Sequence, residues 1–360
     1  MRVRIGLAVV AAGTMLAAGC SNDTAGTPVG VATTAPSTSM APFDGQTLAL
    51  GEVVQVDGID GARMQPVADG VVRSYATTVK VTEVGSADQV GDATRGEAYR
   101  AVAGGTLLAF TVSVAQDAGA DGVSEKVVAD VDVDGTQRVL PDFFDGGSGS
   151  STSGGAQVHY VVATPQHRRA VDLELKAAGL VQSFDLLQGR PKGDRPAALY
   201  RAAGGTTVRQ EALTPAKYKV TLHGDDQVNQ ITVQTAELGY FGGKEDAVPS
   251  NPANGWLSLA VNEDGADGSY AICVTPLTAY TLTDDSGHKY PASATASTVP
   301  AKPELIGDTS YVVAFEVPAD LAKATLTITP KNVVCEVSTS TYEPVPAHGA
   351  PTVEVTLPAT

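Results

Sequence analysis

Tyr311-Val312-Val313-Ala314-Phe315-Glu316-Val317-Pro318, followed by Ala324-Thr325-Leu326-Thr327-Ile328, decides the fold class of this chain. The first stretch is a short apolar run closed by a proline. The second alternates apolar and polar residues with a period of two, which puts its apolar side chains on one face of a pleated strand. The same order occurs earlier, as Tyr160-Val161-Val162-Ala163, then Pro165, then Val171-Asp172-Leu173-Glu174-Leu175. Further alternation runs through Leu108, Phe110, Val112 and Val114, and through Tyr218, Val220 and Leu222. Turn-forming clusters separate these runs at 117–122, 264–268 and 284–287. No sustained 3.6-residue period follows residue 20, and Pro318 to Lys323 reads as a single helical turn between strands. The chain is expected to be all-β.

The recurrence extends outward. Thr82-Glu83-Val84-Gly85 parallels Ala236-Glu237-Leu238-Gly239, and Asp121-Gly122 parallels Asp267-Gly268. Chance likeness between Val-rich strands is the alternative to duplication. Each copy spans about 120 residues, the length of an immunoglobulin-like sandwich. Two tandem immunoglobulin-like β-sandwich domains are therefore expected, at 46–189 and 215–360. A linker at 190–214 would join them, marked by Pro191, Gly193, Pro196, Gly204 and Gly205. Residues 20–45 are rich in Thr, Ser and Pro without periodicity and read as a disordered tether. Residues 46–74 read as a short strand or packed loop.

The first 19 residues have the layout of an export signal. Arg2 and Arg4 precede an apolar run from Ile5 to Leu16, and Ala17-Ala18-Gly19 then leads to Cys20. A membrane-spanning helix needs roughly 20 apolar residues, more than this run supplies. The stretch Leu16-Ala17-Ala18-Gly19-Cys20 resembles a bacterial lipobox, departing from it at Ala17, where Leu is usual. That resemblance implies removal of 1–19 as a lipoprotein signal peptide. It also implies lipidation of Cys20 and anchoring at the extracytoplasmic face of the cell membrane. With the tether and the strand–Pro–strand pattern, the chain resembles the immunoglobulin-like domains of unknown function on Gram-positive envelope lipoproteins. Phe315 to Pro318, Ala324 to Ile328 and Gly255 to Val261 carry that resemblance. It implies a fold and a location, and it transfers no catalytic residue. The Ala, Gly, Val and Thr bias is similar to that of high-GC actinobacteria.

Composition limits the partners. The net charge of −16 becomes −18 once Arg2 and Arg4 are removed, which disfavours nucleic acid and anionic headgroups as ligands. The basic stretches Arg168-Arg169 and Arg190 to Arg195 are short and read as solvated surface. Of three cysteines, Cys20 belongs to the lipobox-like stretch, leaving Cys273 and Cys335. A disulfide in an oxidising compartment is expected, with free thiols or a metal pair as alternatives. No His lies near enough in sequence to favour the metal.

Chemistry-bearing motifs are sparse. His223-Gly224-Asp225-Asp226 reads as a polar turn, or as a weak donor set for a metal. The turns at 117–122 and 262–268 invite calcium, yet neither has the ligand order of a calcium loop. Gly146 to Gly155 lacks a nucleophile elbow and reads as a flexible loop. Phe143-Phe144 reads as core, or as a partner contact. Trp256 reads as a core-strand residue sharing its strand with Leu257 and Leu259, or as an exposed ligand platform. No catalytic residue, metal or cofactor is assigned. The expected role is non-enzymatic, with an envelope protein or cell-wall polysaccharide as partner. The alternative is a solute- or calcium-binding accessory of a transporter or envelope enzyme.

Overall fold

Alternation in the sequence becomes strand throughout the computed structural model. It describes residues 43–91, 97–116, 126–144, 157–201, 206–211, 213–242, 244, 247–268, 272–303, 309–338 and 340–358. The N-terminal half contains β1 (Gln46–Leu48), β2 (Val53–Val56), β3 (Arg63–Pro66), β4 (Val71–Ser74), β5 (Thr77–Ala87), β6 (Gln89–Val90) and β7 (Tyr99–Ala101). It continues with β8 (Gly105–Gln116), β9 (Val128–Val133), β10 (Thr136–Val139), β11 (Gln157–Pro165), β12 (Val171–Ala177), β13 (Leu180–Asp185) and β14 (Arg190–Lys192). The C-terminal half contains β15 (Thr207–Glu211), β16 (Ala216–Leu222), β17 (Asp225–Gly239), β18 (Asn254–Ala266), β19 (Cys273–Val274) and β20 (Tyr280–Asp284). It ends with β21 (Lys289–Pro291), β22 (Thr309–Pro318), β23 (Lys323–Ile328), β24 (Asn332–Ser338), β25 (Thr341–His348) and β26 (Thr352–Thr356). The protein is all-β.

In the N-terminal half, the sheet β2-β11-β8-β5-β3, with β4 beside β5, faces the sheet β10-β9-β12-β13-β14. Phe110, Val112, Tyr160 and Val162 of the first meet Val131, Leu173, Leu175 and Phe184 of the second. The alternate residues Leu107, Ala109, Val161 and Ala163 point the other way. There they pack with Leu48 and Val90 beneath a third small sheet, β1-β7-β6. Burial on both faces explains why Tyr160 to Ala163 is an unbroken apolar run rather than an alternating one. Residues 46–66 supply part of this covering layer.

The C-terminal half repeats the two-sheet plan. The sheet β19-β24-β25-β16-β17-β18-β22, with β15 beside β17, faces β21-β20-β23-β26. Ile231, Leu259, Val313 and Phe315 meet Leu282, Leu326, Ile328 and Val353 in its core. The recurrence of Tyr-Val-Val-Ala holds in space. Val161 lies opposite Ala109, and Val312 lies opposite Ala260. Leu173 sits between Val131 and Phe184, as Leu326 sits between Leu282 and Val353. The upstream match does not hold. Gly85 pairs with Ala109, whereas Thr235, four residues before Gly239, pairs with Ala260. A four-residue slip preserves the inward face of a strand, so alternation alone cannot fix the register.

The halves differ by an insertion. Ala178-Gly179, both with positive φ, joins β12 tightly to β13. The equivalent connection from β23 to β26 carries the β24–β25 hairpin, whose far end pairs with β16 at Val220 and Ala347. The described residues of the expected linker at 190–214 are largely structured. Its first part is β14, paired with β13, and its later part is β15, paired with β17. Pro191 is compatible with β14 because that strand is an edge. Pro318 ends β22 and is followed by a turn closed by Leu321 N–H to Pro318 O, not by a helical turn. Residues Asp44–Thr360 form one compact unit.

Candidate functional site

The outer face of the β9-β12-β13 layer concentrates charge. Alternation sends Val131, Leu173 and Phe184 inward, and so Asp130, Asp132, Asp172 and Glu174 outward. Register places Glu174 opposite Asp130, and Asp172 between Asp132 and Asp185. Like charges directly opposite one another are unfavourable, and lysines intervene. Lys176 Nζ lies 2.7 Å from Asp130 Oδ2 and 3.0 Å from Glu174 Oε2, while Lys192 donates to Asp172 Oδ2. Desolvation opposes the Lys176 charge, but its carboxylate partners win and hold its pKa above the ordinary lysine value. The Asp172 hydrogen bond does the same for Lys192. The second oxygen of Asp172 is buried without a hydrogen-bond partner among the described residues.

Turns complete this surface. Asp134 Oδ1 accepts from the N–H groups of Ala170 at 2.9 Å and Arg169 at 2.8 Å, which hold its carboxyl below the usual range. With His167, Arg169 and Lys192, the carboxylates of Asp132, Asp134, Asp172 and Glu174 line an open concavity of about 620 Å³. Both signs of charge are present in its lining. The chemistry suits a polar or charged partner. The expected basic stretch Arg190 to Arg195 is engaged here and nearby: Lys192 with Asp172, and Arg195 Nη1 with Asp69 Oδ2 at 3.0 Å.

A second polar centre lies inside the C-terminal core. Leu257, Leu259 and Val261 face inward from β18, and the same alternation carries Glu263 inward, only 2% exposed. Its Oε1 accepts from Tyr218 Oη at 2.6 Å, Asn229 Nδ2 at 2.6 Å and Thr275 Oγ1 at 2.8 Å. Its Oε2 accepts from Tyr311 Oη at 2.6 Å and Thr275 N at 2.8 Å. Tyr280 Oη completes the chain, 2.6 Å from Tyr311 Oη. Desolvation pushes the Glu263 pKa up despite these donors. It also pushes Tyr218, Tyr280 and Tyr311 well up, with Glu263 adding to the effect. The turn reading of 262–268 missed this hub, although the period from Leu257 pointed to it.

That geometry disperses the oxygens of the proposed calcium turn. Glu263 is in the core, Asn262 Oδ1 accepts from Ser310 Oγ at 3.0 Å, and Asp267 Oδ1 pairs with Lys217 Nζ at 2.7 Å. Among the described residues, no group of three His, Cys, Asp or Glu is arranged to hold a metal ion. His223-Gly224 forms the β16–β17 hairpin turn, with φ of 53° and 87°. His159 lies on β11 with Nδ1 3.0 Å from Thr111 Oγ1. Phe143 is buried and meets Phe144 edge-on at 4.9 Å, in the N-terminal core. Cys20, the turn at 117–122 and the loop 146–155 lie outside the described residues.

Cys273 and Cys335 face each other across β19 and β24 with their sulfurs at bonding distance, 2.00 Å. Trp256 is buried, but on the face opposite to Leu257 and Leu259. It packs there against Ala296 and Ala314. Its indole N–H has no hydrogen-bond partner among the described residues.

The two halves meet at a built joint. The 3-10 turn Ala197–Tyr200 inserts Ala198 and Leu199 beside Tyr240 and Ala319. Arg73 N–H donates to Tyr200 Oη at 3.1 Å, Arg73 Nη1 to Leu199 O at 3.3 Å, and Tyr200 Oη to Gln182 Oε1 at 3.0 Å. The Arg195 guanidinium lies 4.5 Å over the Tyr200 ring. Phe241, from the C-terminal half, packs on Tyr75 at 5.1 Å and on the N-terminal core.

Fold and surface together define an all-β protein of layered sheets whose repeated halves are fixed to each other. No family model and no curated protein matches the chain. A solved structure, described as the conserved domain protein from Bacillus anthracis, is similar at 10% identity with a TM-score of 0.24. The match covers 81% of this chain and 90% of that one. That score is too low for the likeness to bear on fold or function. Among the described residues, no helix is long and apolar enough to cross a membrane.

Proposed function

We propose that this chain is a non-enzymatic, lipid-anchored protein of the extracytoplasmic membrane face that binds an envelope protein or cell-wall polysaccharide. In this reading the two halves are immunoglobulin-like sandwiches. Support comes from the recurring arrangement of β5-β8-β11 against β10-β9-β12-β13 and of β17-β18-β22 against β21-β20-β23-β26.

The joint is the observation that carries the proposal. A turn seated in both halves, with Tyr200 held by Arg73, Gln182 and Arg195, makes a rigid presenting body. Rigid scaffolds that hold loops and faces in place are suited to binding. The Cys273–Cys335 pair fits an oxidising compartment. The Cys20 stretch, followed by a Thr/Ser/Pro tether, supplies attachment and reach. The net negative charge favours holding the body away from anionic headgroups.

The partner surface is assigned to the charged concavity around Asp132, Asp134, His167 and Arg169. In-cell cross-linking of the tagged chain, followed by mass spectrometry, tests this. One abundant partner is expected with the unaltered chain, and it should be lost with His167→Ala combined with Arg169→Glu. Both substituted residues are exposed, so the fold should survive. A partner that is unaffected assigns binding to another surface, and no partner at all contradicts the reading.

A further inference from the structure

We propose that the Cys273–Cys335 disulfide is a redox latch on the buried Glu263 carboxylate, so that opening it steepens the pH dependence of the C-terminal half's stability. The argument begins with the shortness of β19. This strand has two residues, Cys273 and Val274, paired with Cys335 and Val334 of β24. One more backbone bond, Glu336 N–H to Ile272 O, supports it. Beyond the covalent bond, burial of Cys273 and Val274 and the Thr275 hydrogen bonds to Glu263 hold this strand, so strand and carboxylate depend on each other. Two residues beyond Cys273 comes Thr275, which gives Glu263 two of its five hydrogen bonds, through N–H and Oγ1. The same segment continues through the 3-10 turn Leu277–Ala279 to Tyr280, whose hydroxyl meets that of Tyr311. Tyr311 in turn donates to Glu263. One segment, stapled at Cys273, therefore aligns the donors on one side of the carboxylate.

A buried carboxylate is tolerated in its charged form only while donors surround it. Releasing the segment removes the Thr275 donors and loosens Tyr280, which raises the Glu263 pKa further. The groups facing Glu263 are Tyr218 from β16, Asn229 from β17, Thr275, and Tyr311 from β22 with Tyr280 of β20 behind it. The titratable ones are tyrosines, which burial keeps protonated well past neutrality. Glu263, whose pKa burial raises, is thus the group in this cluster that titrates before the tyrosines. The opening step is thiol–disulfide exchange with a dithiol reductant. One of its thiolates attacks a cysteine sulfur and the S–S bond breaks. Its second thiol then closes the reductant's own disulfide, passing two electrons and two protons to give two cysteine thiols. Both cysteines are at most 1% exposed, so exchange follows local opening of β19.

The test compares the full-length chain with a Cys273→Ser/Cys335→Ser variant, each with and without Glu263→Gln. Serines avoid the titration of free thiols. The folded-to-unfolded ratio is read from denaturant titrations at pH 5 and pH 8. Loss of the disulfide should lower that ratio about tenfold more at pH 8 than at pH 5, as a one-unit rise in a single pKa requires. Glu263→Gln should remove the difference. An equal loss at both pH values, or a pH difference that persists in the Glu263→Gln background, overturns the latch. Should the serine pair fail to fold, Thr275→Val in the disulfide-bonded chain serves. It should lose more stability at pH 8 than at pH 5, and an equal loss at both overturns the proposal.

Discussion

Glu263 is the residue on which the C-terminal core is organised. Its five donors come from four separate segments, so each donor fixes one segment to β18. Tyr311→Phe removes one donor and leaves the ring in place. A loss of about 1–3 kcal/mol is expected in chemical denaturation, the cost of an unmet buried polar group. The pH response has a definite sign. Burial raises the folded-state pKa of Glu263 above its ordinary value. Its contribution is therefore fully present below the ordinary carboxylate pKa and is lost as pH rises through the raised one. The unsubstituted chain should lose stability relative to Glu263→Gln as pH increases, in denaturant titrations at a series of pH values. A constant difference would show that the carboxyl titrates normally. The inward position of Glu263 was legible from Leu257, Leu259 and Val261. Its partners were not, because Tyr218, Thr275 and Tyr311 are brought to it by strand pairing across long sequence separations. Trp256 gave the opposite outcome: burial was legible, while the strand period already placed it on the face away from Leu257.

At the scale of elements, the inserted β24–β25 hairpin and the edge of β22 distinguish the C-terminal half. Cys273 and Cys335 are separated by 62 residues. Closing a loop of that length restricts the unfolded chain by roughly 4 kcal/mol in the chain-entropy account. Replacing both cysteines with serine should lower stability by about that amount near pH 7, read from the denaturation midpoint. Away from β18 the long strand β22 has no paired strand among the described residues, and Ser293 and Thr298 N–H donate there to Ala314 O and Val312 O. Ser297 Oγ accepts the Ala314 N–H at 2.9 Å and Thr298 Oγ1 accepts the Val312 N–H at 2.8 Å, which blunts that edge. Ser297→Ala with Thr298→Val should increase self-association, seen as a rise in light scattering with concentration. Strands such as β12 and β23 were legible from their alternation. The hairpin was not, since Pro344 and Pro346 interrupt the alternation of β25 and proline is unusual inside a strand. They are tolerated there because the strand pairs with β16 only near its end.

At the scale of the whole molecule, the decisive feature is the stretch that composition marks as a linker. Gly and Pro signal freedom when counted, but this stretch carries the 3-10 turn Ala197–Tyr200, and a glycine of β18 makes room for it. A Cβ on Gly255 would lie 2.8 Å from the Ala198 Cβ and 2.9 Å from Gly239 O. This glycine lets the 3-10 turn seat against β18. Gly255→Val should displace the turn and loosen the joint, and Tyr200→Ala should do so by removing the ring that Arg73 and Arg195 hold. Either substitution is expected to raise the radius of gyration in small-angle scattering while leaving strand content unchanged by circular dichroism. A rigid body of this kind matters for presentation only if it is attached. The most direct measurement is metabolic labelling with an alkyne-bearing fatty acid, in a bacterium that processes lipoproteins, of the unaltered chain and of Cys20→Ser. The account expects label and membrane association for the unaltered chain, and an unlabelled, released Cys20→Ser protein. An unlabelled natural chain, or label retained by Cys20→Ser, would contradict it.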